Sequence, residues 1–317
     1  MTVPRPPSLL LPALLMLAVL PTAAQELYIW TDEDGVQHIA DRRPAGEHEV
    51  TVRRAIAQPD APIEISNVGS RREPEWRFTN ALHGPVSVRV TLSEAANVVS
   101  DPTLPSVLVV PQRSHRSVLI GALDAARAWQ YRIETQVVPG SPDAHADRTH
   151  RYRVPFRADE PIRIGQGFGG RFSHAATQSL YAVDFSLPVG TAVLAARAGT
   201  VMDLERWFHR AGEDLKRDGP RANYVRILHD DGSMAVYAHL EYNGVDVQPG
   251  QQVEAGQLLG RSGNTGYSTG PHLHFAVQVN RDMQLVSIPF RMVAPDGREL
   301  ALDDGAGGRP FAPSGSR

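Results

Sequence analysis

The chain has 317 residues, 42% of them hydrophobic, and a formal charge of -3 at pH 7. That length implies two or three domains, and the near-neutral balance gives no basis for a nucleic-acid partner or an electrostatically held membrane surface. A cysteine count of 0 excludes a disulfide framework, a thiolate nucleophile and any Cys-ligated metal site.

Arg5 precedes an apolar run, Leu9 to Leu20, that ends in Pro21-Thr22-Ala23-Ala24. A basic start, a short hydrophobic stretch and small residues at the cleavage positions read as a secretory signal over 1–24, which sends the mature chain to the periplasm or out of the cell. The run is shorter than the roughly 20 residues of a spanning helix, and Pro12 interrupts it, so no membrane anchor is expected after cleavage. Residues 25–44 read as a small β module, in which Leu27 to Ile39 alternates apolar and polar side chains on both sides of Asp34-Gly35, a hairpin signal. Tyr28, Trp30, Asp32, Gly35, Asp41 and Pro44 resemble a small N-terminal module of unknown function found on many exported bacterial proteins. A plain hairpin capping the next domain fits the same residues. Residues 45–61, mixed and Pro-rich, read as a linker.

Residues 62–156 read as all-β. Short β-branched runs recur between turn residues: Val86-Val88-Val90, Ser106 to Val110, Ser117 to Ile120 and Tyr131 to Val138. The spacing predicts a β-sandwich of immunoglobulin-like architecture, acting as a spacer or as a module that presents substrate. His83, His115, His145 and His150 lie scattered among turn residues and read as surface histidines.

The chemistry concentrates in residues 157–302. In Pro271-His272-Leu273-His274-Phe275-Ala276-Val277-Gln278-Val279, strand alternation puts His272, His274, Ala276 and Gln278 on one face and the apolar residues on the other. The two imidazoles then stand about 7 Å apart along the strand, suiting one metal ligand with a catalytic neighbour, or two ligands. Met234 to Leu240 reads as a second strand, with Met234, Val236, Ala238 and Leu240 as its apolar stripe and His239 opposite. Tyr181 to Phe185 reads as a third, with Tyr181, Val183 and Phe185 in the core and Asp184 turned away. His174 precedes it in the loop Gly169-Gly170-Arg171-Phe172-Ser173. A lone strand histidine is usually a solvated surface residue. Metal-competent residues on three strands at once point to a site.

Asp184-Phe185 with Pro188-Val189-Gly190-Thr191, then Tyr237-Ala238-His239-Leu240, Gly263-Asn264-Thr265-Gly266 and Ser268-Thr269-Gly270-Pro271-His272-Leu273-His274-Phe275 resemble lysostaphin/LytM-type zinc metallopeptidases of the cell wall. The resemblance implies a mainly β fold, with an antiparallel sheet and an open groove. It implies Zn2+ held by His174, Asp184 and His274, the two-histidine, one-carboxylate set of a catalytic site. It also implies that His272 and His239 share the work of general base and of water orientation or oxyanion stabilisation, in either order. Peptidoglycan stem peptides or cross-links are the implied substrate. The oligomeric state is not legible.

Nine residues separate His174 from Asp184, so Ala175 to Leu180 is expected to form a hairpin extension. The insertion Leu204 to Ala222 either walls the groove or is a surface excursion. A catalytically inactive relative that activates other wall hydrolases is the competing class, though such proteins lose ligands and this chain keeps all five residues. A lipoyl-carrier reading of Val247 to Gly260 fails for want of a hairpin lysine, since Lys216 is the single lysine. Residues 303–317 are rich in Gly, Pro and Ser and read as a disordered tail.

Overall fold

A computed structural model describes residues 26–31, 37–40, 43–46, 50–54, 63–157 and 162–303. The expected signal segment, the Asp34-Gly35 turn and residues 304–317 lie outside them. The chain divides into two units, 1–58 and 59–317. Among the described residues, 50% strand-rich architecture is not shared evenly with helix: the single α-helix is Leu215–Asp218.

In the first unit Glu26–Thr31 pairs antiparallel with Gln37–Ala40, as the alternation predicts. Thr51–Arg54 pairs antiparallel with the other edge of Glu26–Thr31. The expected linker 45–61 therefore contains a strand. The physical reason is that a two-stranded hairpin is marginal alone, and a third strand satisfies its open edge.

The second unit begins with the sandwich. One sheet has the order Ile63–Asn67, Glu75–Asn80, His115–Ala122, Val98–Asp101, and the other Gln130–Pro139, Val86–Ala96, Ser106–Val110. Phe78, Val88, Val90, Val110 and Val118 are fully buried between them. The fifth strand in chain order lies in the three-stranded sheet and the sixth in the four-stranded one, the reverse of the constant-type immunoglobulin arrangement. His115 and His145 are exposed, while His83 and His150 are half-buried.

The larger sheet runs Ile164–Gln166, Ala182–Phe185, Leu273–Arg281, Met234–Ala238, Tyr224–Leu228, Gly199–Glu205, Gln252–Val253. Its apolar face is built from Val183, Phe185, Ala235, Tyr237, Leu273, Phe275 and Val277, all buried. The stripe on Met234–Ala238 differs from the sequence reading. Tyr237 opposes Phe275 and Ala235 opposes Val277 on the core side, while Val236 and Ala238 oppose Ala276 and His274 on the other. Both faces of this central strand are covered, so an apolar residue at every position carries no alternation signal.

Residues 151–156, read with the sandwich, join this second core instead. Arg151–Arg153 pairs parallel with Arg291–Val293, and Tyr152, Val154 and Phe156 are buried there. Tyr152 meets Phe275 and Phe290 edge-on at ring distances of 6.0 and 5.7 Å, a favoured aromatic geometry.

The sandwich stands directly on the larger sheet. Met202 and Met234 leave the sheet and enter the sandwich core. Asn280 Nδ2 and Ser87 Oγ both donate to the Gly140 carbonyl, at 3.1 and 2.9 Å, and Gln136 Nε2 donates to Met283 O at 2.8 Å. Gly140 has φ +90, and a Cβ there would lie 2.9 Å from Met234 Cε, so only glycine fits the junction.

Behind the sheet His229 is 3% exposed, and its Nδ1 donates to Ala198 O at 2.8 Å. Burial pushes its pKa down to about 4, against a smaller upward pull from that carbonyl. The unfolded chain takes up a proton near pH 6.5 that the native fold refuses until about pH 4, so stability is lost as pH falls through that window. The slope for one such group is about 1.4 kcal/mol per pH unit. His229→Gln is expected to flatten the dependence by about one proton, read from urea unfolding at pH 7 and pH 5. An unchanged slope would show that His229 does not carry it.

Candidate metal centre

Residues directly opposite each other in an antiparallel pair share a face. Gln166 opposes Asp184, Asp184 opposes His274, His274 opposes Ala238, Ala238 opposes Tyr224, and Tyr224 opposes Glu205. This row crosses the sheet on the face away from the core. Asp184 and His274 are thus brought together by register, and His274 Nδ1 lies 2.8 Å from Asp184 Oδ1.

His174 reaches the same oxygen from the loop. Phe168 N donates to Leu302 O, Gly169 N to Leu180 O and His174 N to Gly170 O, which folds the loop back over the sheet edge. His174 is fully buried, with Nε2 3.2 Å from Asp184 Oδ1 and Nδ1 2.7 Å from Gly167 O. Ala175 to Leu180 forms successive turns rather than the expected hairpin. Those turns are clamped by Ser287, whose N and Oγ both donate to Thr177 O, and by Gln278, whose Nε2 donates to Gln178 O.

The other two histidines complete the cluster. His272 bridges to Gly263 just before the Leu273–Arg281 strand, and its Nε2 stands 3.8 Å from Asp184 Oδ1. His239 follows the Met234–Ala238 strand with φ +63, a left-handed conformation costly for a non-glycine residue. Regular extension would point its ring into the core beside Tyr237. The left-handed step turns it outward instead, 4.5 Å from the His272 ring and 5.8 Å from the His274 ring.

Backbone carbonyls only accept, so they assign the protons. Nδ1 of His174 faces Gly167 O, Nδ1 of His239 faces Thr265 O at 2.7 Å, and Nδ1 of His272 faces Gly270 O at 2.8 Å. Each Nδ1 carries the hydrogen, which leaves each Nε2 as a lone pair, the arrangement that orients a metal-binding or basic imidazole. Burial pushes the His239 pKa down to about 3, with the neighbouring His272 and His274 adding to it. Burial alone would raise the Asp184 carboxyl, but hydrogen bonds and charge from His174 and His274 outweigh it and hold it well below the ordinary carboxylate range. Ligand atoms of His174, Asp184 and His274 all lie within 4.8 Å of one another. Two imidazoles and a carboxylate, one ligand per element, fit a divalent metal with an open position.

Sequence reasoning missed the residues that hold this centre in place. Gln166 Nε2 donates to Asp184 Oδ2 at 3.2 Å and to Ser173 Oγ at 2.7 Å, while its Oε1 accepts from Phe172 N at 2.9 Å. One side chain therefore ties the carboxylate to the His174 loop. Its signal in the sequence is a single polar residue between Gly165 and Gly167. The insertion is part of the site as well. Ala211–Gly212 pairs with Gly266–Tyr267, between Thr265, which holds His239, and Ser268, whose Oγ lies 3.3 Å from His272 Nδ1. Gly266 has φ +82, and a Cβ there would meet Ala222 at 2.7 Å, so the insertion lies close upon it.

Residues 178–285 match the model of peptidase family M23, and the chain thus carries an M23 peptidase domain with relatives of the lysostaphin/LytM type. Residues 13–64 match a domain of unknown function, DUF4124. Over 141 residues the chain is 35% identical to the peptidoglycan DD-endopeptidase ShyA of Vibrio cholerae, covering 43% of this chain and 30% of that protein. It is 39% identical over 102 residues to lysostaphin of Staphylococcus simulans, covering 32% of this chain and 18% of that protein. The chain therefore spans less than a third of the length of either. The solved catalytic domain of lysostaphin from Staphylococcus simulans matches at 33% identity and TM-score 0.30, over 38% of this chain and 81% of that one.

Gln166→Leu is expected to lower affinity for a divalent ion about 10- to 100-fold, the usual effect of losing a group that orients a ligand. Competition against a chromogenic chelator measures it. Unchanged affinity would show that Asp184 is oriented without Gln166.

Proposed function

We propose that this chain is an exported, zinc-dependent endopeptidase that hydrolyses stem peptides or cross-links of bacterial peptidoglycan. The observation that carries the reading is the convergence of His174 Nε2 and His274 Nδ1 on one oxygen of Asp184, with the rings of His239 and His272 beside it. The M23 domain and relatives named as peptidoglycan endopeptidases support the substrate class. The expected secretory signal supports export, and among the described residues no helix is long and apolar enough to cross a membrane.

Zinc bound by His174, Asp184 and His274 would supply Lewis acidity toward the scissile carbonyl and toward water. The chain's own residues handle the protons. His272 Nε2 is the base: its lone pair faces the centre, and the Gly270 carbonyl holds the Nδ1 hydrogen when the ring becomes charged. His239 has the same tautomer, so its Nε2 accepts a hydrogen bond and orients the attacking water rather than donating to an oxyanion. Asp184 remains ionised and offsets the positive charge. An extended peptide would lie along the face that carries Asp184 and His274.

Purified sacculi incubated with the chain from Gln25 onward are expected to release peptide-cleaved fragments, identified by mass spectrometry. Release should stop on chelation and return with zinc. His272→Ala is expected to lower the rate about 10²- to 10⁴-fold while retaining bound metal, whereas Asp184→Ala should lose both. Absence of cleavage by folded, zinc-loaded protein would contradict the proposal, and absence of both cleavage and bound zinc would favour the inactive, activator class.

A further inference from the structure

We infer that Arg226 is a substrate-positioning residue that takes a peptide carboxylate three or four residues from the scissile bond; this rests on the peptidase reading above. The row next to the metal row on the same face is Ala182, Ala276, Val236, Arg226 and Asp203. Ala276, Val236 and Ala182 are small or apolar and buried. The polarity of this row is concentrated at Arg226 and Asp203.

Arg226 is held rigidly. Its Nε donates to Asp203 Oδ1 at 3.1 Å and its Nη1 to Gln278 Oε1 at 2.8 Å. Tyr224, two residues back and in the metal row, donates its hydroxyl to Asp203 Oδ2 at 3.0 Å, and its ring lies 5.7 Å from the guanidinium carbon. Both oxygens of Asp203 are thereby used. The Nη2 of Arg226 is left with its donors uncommitted among the described residues, on a fork whose orientation its partners have set.

Arg226 and Asp203 are about as accessible as the residues of the metal row. The side chains of Arg226 and Asp203 are 12% and 15% exposed, against 13%, 16% and 18% for Asp184, His274 and His272. In the next row outward Met234 and Leu228 pack into the sandwich core, while Gln278 bonds to Arg226 and to Gln178 in the turns after His174. Arg226 therefore sits between the metal row and the row that enters the sandwich. Two strand spacings and two residues separate its Cα from that of His274, about 12 Å, which an extended peptide covers in three or four residues. An ion pair so little exposed adds little to stability over an apolar pair, so structure alone gives no reason for a cation at this position.

The test uses the full chain carrying His272→Ala, so that peptides bind without turnover. The probes are alanine-rich octapeptides with blocked termini and a single Glu, or a single Gln, at the third or fourth residue on either side of the central bond. Calorimetry is expected to show one Glu peptide binding about tenfold more tightly than its Gln twin. Adding Arg226→Gln should abolish that preference and leave the Gln twin unchanged, and Arg226→Lys should keep part of it. Equal or unmeasurable affinity for every pair overturns the inference. So does an equal loss for both twins in Arg226→Gln, which assigns the residue to structure. Because binding is read without cleavage, a chain that discriminates the twins yet cleaves no wall peptide keeps Arg226 as a peptide-carboxylate site and sinks the peptidase reading.

Discussion

One oxygen atom organises this site. Asp184 Oδ1 is approached by His274 from the neighbouring strand, by His174 from a loop at the sheet edge and by His272 from the turn before the strand. Their approach is set by backbone. Strand register places His274 opposite Asp184, and the carbonyls of Gly167, Thr265 and Gly270 each fix an imidazole by its Nδ1 hydrogen. A register slip of one residue would send Asp184 and His274 into the core and expose Val183 and Phe275. Burial of Phe275, Tyr237 and Phe185 opposes that slip, so the packing of the hidden face determines the chemistry of the open one.

The additions to the sheet act on the same site. The turns after His174 close over Ala276 and Gln278, and the insertion pairs with the strand that backs His239 and His272. The sandwich shares its core with Met202 and Met234 of the larger sheet, so the two pack as one unit. The left-handed His239 is the point of strain. A buried Thr265 hydroxyl that donates to Leu240 O, and the Thr265 carbonyl that accepts from His239, hold that conformation from both sides. Strain of this kind persists only where surrounding contacts over-determine it.

The sequence made some of this legible and hid the rest for physical reasons. Leu273 to Val279 alternates because one face is the main core and the other carries the metal row, and its two histidines fall where alternation puts them, apart from His272 lying just before the strand. Met234–Ala238 shows no alternation because both faces are covered, and the stripe chosen from its pattern was the face opposite the main core. The strand at Thr51–Arg54 is too short to stand out from a Pro-rich neighbourhood. Tyr152 and Phe156 read as the last of the sandwich because sequence adjacency carries no information about their parallel pairing with Arg291–Val293, well over a hundred residues away. Gln166 was passed over because its role comes from contacts with Asp184 and Phe172 that no local spacing encodes.

The most direct test of the central claim is zinc X-ray absorption on the full chain in solution. A single centre built on His174, Asp184 and His274 requires a four-coordinate shell. It should contain two imidazole nitrogens at about 2.0 Å, with oxygen from carboxylate and water in the remaining positions. A shell with three or more imidazoles would place His239 or His272 among the ligands and contradict their roles in proton transfer. A shell of oxygen alone would contradict the site itself.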